Sequence, residues 1–148
     1  MGEMGEVVVR QVEIADAPAV AALSGVLGYP VEAATMQRRL EDVRDCEERA
    51  VFVAEDEGEL LGWVEAAEHN ILVAGGVCEI CGLVVAEGRR ARGVGRRLMQ
   101  AAEEWARGRG LNQVTLRSNV VRPESHAFYE RIGYSRFKTQ HAYRKPLG

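Results

Sequence analysis

Only three cysteines occur in 148 residues, and so small and odd a number excludes a disulfide-built scaffold and suits a reducing, cytoplasmic setting. Cys78 and Cys81 stand in C-x-x-C spacing, but residues three apart on a strand point to opposite faces. No second pair or neighbouring histidine completes a ligand set, so no metal is expected. Basic charge is scarce too: the net charge of −3 argues against a general nucleic-acid binder. No hydrophobic run approaches a membrane span, and the acidic start Met1-Gly2-Glu3-Met4-Gly5-Glu6 is unlike a signal peptide. Glu6 occupies the place where a myristoylation motif has Ser or Thr, so no membrane partner is expected. Gly-Lys-Ser/Thr is absent, which excludes a Walker loop. Internal repeats, linkers and low-complexity segments are lacking. With 47% hydrophobic and 28% charged residues, the chain suits one domain over residues 1–148.

What the chain does have is an arginine–glycine loop, Arg89-Arg90-Ala91-Arg92-Gly93-Val94-Gly95-Arg96-Arg97-Leu98, between an apolar strand and an amphipathic helix. Glycine lets backbone approach a ligand closely, and first-turn N–H groups lack intrahelical partners. With the positive end of the helix dipole they form a phosphate cradle. A dinucleotide fingerprint would need a third Gly or Ala where Leu98 stands. The pattern that remains is R-x-x-G-x-G, from Arg90 to Gly95.

Periodicity predicts the frame around this loop. Val7 to Ile14 predicts a strand, and Asp16 is placed to cap a helix with Pro18 in its first turn. Met36, Leu40 and Val43 predict a second helix over residues 32–44. Residues 50–55 and 60–67 predict strands joined by the turn Asp56-Glu57-Gly58-Glu59. His69 to Gly76 predicts a loop, and Val77 to Val85 the strand that feeds the arginine–glycine turn. Val94, Leu98, Ala101, Ala102 and Trp105 share one helical face. Val114 to Ser118 predicts a strand, and Pro123 and Gly133 bracket a last helix. Tyr134 to Lys138 and His141 to Lys145 predict short closing strands. The sum is an α/β (α+β) fold with a mixed central sheet of six to seven strands and helices on both faces. Trp63 and Trp105 are expected in the core, and His126 and His141 in structural or exposed positions.

A second motif agrees with the first. Ser125-His126-Ala127-Phe128-Tyr129-Glu130-Arg131-Ile132-Gly133-Tyr134 resembles the helix reading A-x-x-F-Y-E-x-x-G-F/Y in the GNAT superfamily of N-acetyltransferases. The loop from Arg90 to Gly95 resembles that superfamily's acetyl-CoA pyrophosphate loop. Arg122 to His126 is similar to the subset that includes aminoglycoside-type enzymes. Ala91, often Gly in the family, is a departure that removes no backbone donor.

The resemblance implies a single GNAT-like domain whose fourth and fifth strands form a splayed parallel pair. It also implies an acetyl-CoA co-substrate and a small-molecule or peptide amine as acceptor. Backbone groups of Leu83, Val84 and Val85 would then hold the pantetheine arm. Arg90, Ala91, Arg92, Gly93, Val94, Gly95 and Arg96 would hold the pyrophosphate, with Asn119 and Ser125 as further cofactor contacts. Tyr129 would protonate the leaving thiolate, and Glu79 would take the amine's proton, with His69 a weaker alternative base. Glu32, Glu41, Asp42, Glu65 and Glu68 would favour a cationic acceptor such as an aminoglycoside or polyamine. Amino acids and peptide N-termini stay equally open, as does a homodimer. The competing reading is a non-catalytic acyl-CoA-binding or interaction module on the same fold.

Overall fold

A computed structural model describes residues 6–86, 93–118 and 123–148. The chain divides into two compact units, Met1–Arg117 and Ser118–Gly148.

In the first unit, β1 (Val8–Gln11) leads through a 3-10 turn at Ile14–Asp16 into α1 (Ala17–Val26) and α2 (Ala33–Arg44). Then come β2 (Arg49–Asp56), β3 (Glu59–Ile71), β4 (Gly75–Val85), α3 (Val94–Gly108) and β5 (Val114–Leu116). The strands form one sheet in chain order, antiparallel from β1 to β4 and parallel between β4 and β5. A helix between β4 and β5 is what a parallel neighbour requires. Asp56 pairs with Glu59 across the β2–β3 turn, whose central Glu57 and Gly58 both have positive φ, the conformation that matches the twist of a tight hairpin.

Consecutive residues of β3 face opposite helices. A Cβ on Gly62 would lie 3.1 Å from Leu98 of α3, whereas Trp63 packs with Val20, Met36, Leu40 and Val53 under α1 and α2. The sheet is therefore covered on both faces, which explains why Leu61, Gly62, Val64, Ala66 and Ala67 are all buried rather than alternating.

Several expectations change. Among the described residues the sheet has five strands, not six to seven. Residues 134–148 contain no strand; Phe137, Tyr143 and Leu147 stand exposed among polar neighbours, without a buried alternating face. His69 lies on β3, which runs to Ile71, and not in a loop. Asp16 precedes α1 without capping it through its side chain. Its carboxylate instead accepts from the Glu13 N–H at 2.7 Å and from Arg10 at 2.8 and 3.0 Å. The buried face of α3 is centred on Leu98, Met99, Ala102 and Ala106, leaving Ala101 and Trp105 half-buried, the latter beneath Arg109.

In the second unit, α4 (Pro123–Arg131) ends on Gly133 at φ +105°. The Gly133 N–H bonds the Glu130 carbonyl and the Tyr134 N–H bonds the Tyr129 carbonyl. This paired-bond ending brings the residue after the glycine against the last turn. Tyr134 accordingly meets Tyr129 edge-on, with ring centroids 6.2 Å apart.

Candidate active site

The open side of β4 starts from one extra residue. Gly82 pairs with Glu65 and Ile80 with Ala66, so Cys81 has no counterpart on β3. Below this bulge the Cys78 N–H points at β5, bonding the Gln113 carbonyl at 3.1 Å. Above it the Ala86 N–H bonds Leu61 on β3 at 2.7 Å, so Val84 also turns its backbone groups toward β3. Leu83 and Val85, by alternation, direct theirs the other way, where pairing with β5 ends at Ile80 and Leu116. The bulge thus gives β4 two outward backbone donors on an edge that β5 leaves uncovered. Of the three strand residues singled out by sequence, Leu83 and Val85 present backbone there, whereas Val84 buries its side chain and faces β3 with its backbone.

The start of α3 is the second backbone feature. Gly93 precedes the helix at φ +73°, and the first intrahelical bond runs from the Arg97 N–H to the Gly93 carbonyl. Val94, Gly95 and Arg96 therefore have N–H groups ahead of the hydrogen-bonded ladder, with no acidic side chain in the first turn. A Cβ on Gly93 would meet nothing within 4 Å among the described residues. Arg96 is exposed; Arg97 reaches the Val7 carbonyl, which gives it a structural partner. Arg90, Ala91, Arg92 and Asn119 lie outside the described residues.

Pairing of β3 with β4 collects the titratable groups. Glu79 Oε1 lies 2.9 Å from His69 Nε2, and its other oxygen lies 3.6 Å from Arg117. His69, Glu79 and Cys81 bring one ligand atom each within 4.8 Å of one another, so a histidine does stand beside the cysteine, contrary to expectation. Such a nitrogen–oxygen–sulfur set can bind zinc. Here its histidine and carboxylate already face each other. The Cys81 thiol is pushed up to about 11 by the partial burial of its sulfur and then by the carboxylates of Glu65 and Glu79. It is a thiol, not a thiolate, at neutral pH. Sequence spacing could not bring His69 to Glu79, because their proximity depends on β3 extending beyond Ala67.

Between α1, α2 and the sheet lies a cavity of about 390 Å³. Val20, Leu27, Met36, Leu40, Val51 and Trp63 give it an apolar wall, with Cys81 and Gly82 of β4 at the sheet side. The Trp63 ring lies so close over Gly82 that a Cβ there would come 3.0 Å from it. The Trp63 indole N–H is buried without a hydrogen-bond partner among the described residues. Trp63 is thus core, as expected, and cavity wall as well. Glu65 is engaged by Arg49 at 2.6 Å, and Glu68 by Arg109 at 2.6 Å.

In the second unit, Ser125 and Tyr129 share a half-buried face of α4, one turn apart. Phe128 meets Tyr129 edge-on at 5.2 Å. Burial raises the Tyr129 phenol above its ordinary value, so it stays protonated at neutral pH.

The chain is similar to several known proteins. A family model described as the acetyltransferase (GNAT) family matches residues 17–134. An uncharacterised N-acetyltransferase of Chlorobaculum tepidum is 29% identical over 133 residues, covering 90% of this chain and 78% of that protein. An aminoglycoside N(6')-acetyltransferase type 1 of Klebsiella aerogenes is 32% identical over 100 residues, covering 66% of this chain and 65% of its own. The fold superposes on a solved aminoglycoside N-acetyltransferase in complex with CoA with a TM-score of 0.88 at 19% identity, covering 98% of both chains.

Proposed function

Because this chain belongs to the acetyltransferase (GNAT) family and is an N-acetyltransferase, we propose that it moves the acetyl group of acetyl-CoA to a primary amine by direct attack on the thioester. The observation that carries this is the bulge at Cys81, which turns the backbone of Leu83 and Val85 outward beyond the end of β5. A pantetheine arm is a strand-like chain of amides and needs such partners. The first-turn N–H groups of Val94, Gly95 and Arg96 would receive the pyrophosphate, together with Arg90, Ala91, Arg92 and Gly93. Asn119 and Ser125 are further cofactor contacts in this reading, and residues 1–148 act as one domain.

The chemistry needs a neutral amine, and an alkylammonium has a pKa of about 10.4. Glu79 accepts that proton, directly or through water, with His69 beside it the weaker alternative. The amine nitrogen then bonds the acetyl carbon, an outward N–H of β4 stabilises the oxyanion, and the carbon–sulfur bond breaks. Tyr129 donates its phenolic proton to the departing thiolate. The buried phenol is protonated at neutral pH, so Tyr129 enters the step in its donor form.

Two measurements test the proposal. Acetyl-CoA should raise the melting temperature, because a ligand selective for the native state stabilises it. Acetyl-CoA with a panel of primary amines should release free CoA thiol. Thermal stabilisation without thiol release would favour the non-catalytic acyl-CoA-binding reading, and no stabilisation would overturn both.

A further inference from the structure

The cavity between α1, α2 and the sheet has a charge pattern that narrows the acceptor. Its wall is apolar, and its acidic group, Glu65, accepts at Oε2 from Nε and one terminal nitrogen of Arg49, at 3.2 and 2.6 Å. Arg39, on α2 one turn beyond Met36, also lines it and makes no ion pair among the described residues. Arg39 and Arg49 against Glu65 leave one positive charge at the cavity. Tyr29, 68% exposed on the connection between the two helices, adds an aromatic face to its lining. Cys81 and Gly82 form its sheet side, on the strand that carries Glu79 and the outward backbone of Leu83.

A polycation entering here would give up hydration against a guanidinium and hydrocarbon, and the lining's one carboxylate, Glu65, already has its charge matched by Arg49. The aminoglycoside substrates named for similar enzymes are therefore poor matches to this wall. Resting on the acetyltransfer reading above, we propose that the acceptor is a primary amine on a hydrophobic, amino-acid-sized body bearing a carboxylate. Its side chain fills the cavity, its carboxylate meets Arg39, and its amine is left toward Glu79. A cavity of about 390 Å³ lies within the range of small-ligand sites and suits one such molecule.

The experiment uses phenylalanine, 2-phenylethylamine and spermidine as acceptors, with thiol release read at matched acetyl-CoA. Phenylalanine should show a kcat/KM about tenfold above phenylethylamine, as expected for one charge-assisted contact, and spermidine should be the poorest of the three. Arg39→Glu should remove the advantage of phenylalanine by raising its KM, while the rise in melting temperature on adding acetyl-CoA stays unchanged. Equal or better turnover of spermidine, or an Arg39→Glu protein with the wild-type order of acceptors, overturns the proposal. So does silence from all three acceptors. If acetyl-CoA still stabilises the protein in those cases, the cofactor reading survives; if it does not, the parent reading fails as well.

Discussion

In the proposed reaction Tyr129 and Glu79 divide the proton traffic, and their surroundings say how each should fail. The Tyr129 phenol is raised by burial, so its proton is held through the neutral range and lost only well above it. Tyr129→Phe keeps the ring that meets Phe128 and Tyr134 while removing the donor. Its kcat should fall about 10²-fold or more, the scale of a general acid, with acetyl-CoA binding little changed. Stopped thiol release alongside thermal shifts separates the two, and an unchanged kcat removes Tyr129 from the acid role. Glu79→Gln keeps a polar group beside His69 and loses the base. Its rate should then recover as the pH approaches the amine's own pKa of about 10.4, where the substrate deprotonates unaided. A rate deficit independent of pH would make Glu79 a residue that orients rather than one that accepts.

The elements that build the site depend on particular glycines. Gly93 sits at φ +73° with open space at its Cβ among the described residues, whereas Gly62 has an ordinary φ and no room at all. An added Cβ on Gly62 would stand 2.5 Å from the Val84 carbonyl and 3.1 Å from Leu98. Gly93→Ala should therefore cost about 1–2 kcal/mol of left-handed backbone strain. Gly62→Ala should cost about 1–3 kcal/mol through overpacking, and push β4 away from β3. Urea melts give both costs. The two should part on ligand binding, with Gly93→Ala also weakening acetyl-CoA by lining its approach with a methyl group. Equal stability of Gly62→Ala and the parent would contradict the close strand approach.

Much at this scale was legible beforehand. Gly58 and Gly133 mark ends that local chemistry sets, and the 3.6-residue pattern of Met36, Leu40 and Val43 needs no partner to be seen. The bulge at Cys81 was not legible, because it exists only in the pairing of two strands thirteen and eleven residues long. For the same reason Val84 looked equivalent to Leu83 and Val85, and His69 looked separate from Glu79. The closing strands were inferred from short stretches of Tyr134 to Lys145 whose mix of charged and aromatic residues gives no buried face. Glu65 and Glu68 looked like free acceptor-binding charge until β3 set them beside Arg49 and Arg109.

For the whole molecule, an acidic chain of net charge −3 is proposed to hold a polyanion. That binding must come from oriented backbone dipoles and a local arginine group, since the overall field repels the ligand. Affinity should consequently fall with added salt only as far as the exposed arginines contribute, the N–H groups at the start of α3 being less screened. Acetyl-CoA at about a hundred times its Kd adds about 2.7 kcal/mol to the stability of the native state. For a chain of this size each kcal/mol is about 2–4 °C, so the melting temperature should rise by about 5–11 °C. CoA lacking its acetyl group should give nearly the same shift, because the proposed grip is on pyrophosphate and pantetheine rather than on the acyl end. A shift seen with inorganic pyrophosphate but lost with CoA would mean that the start of α3 binds anions while β4 offers no berth for the arm, and the acetyltransfer geometry built on Leu83 and Val85 would fall.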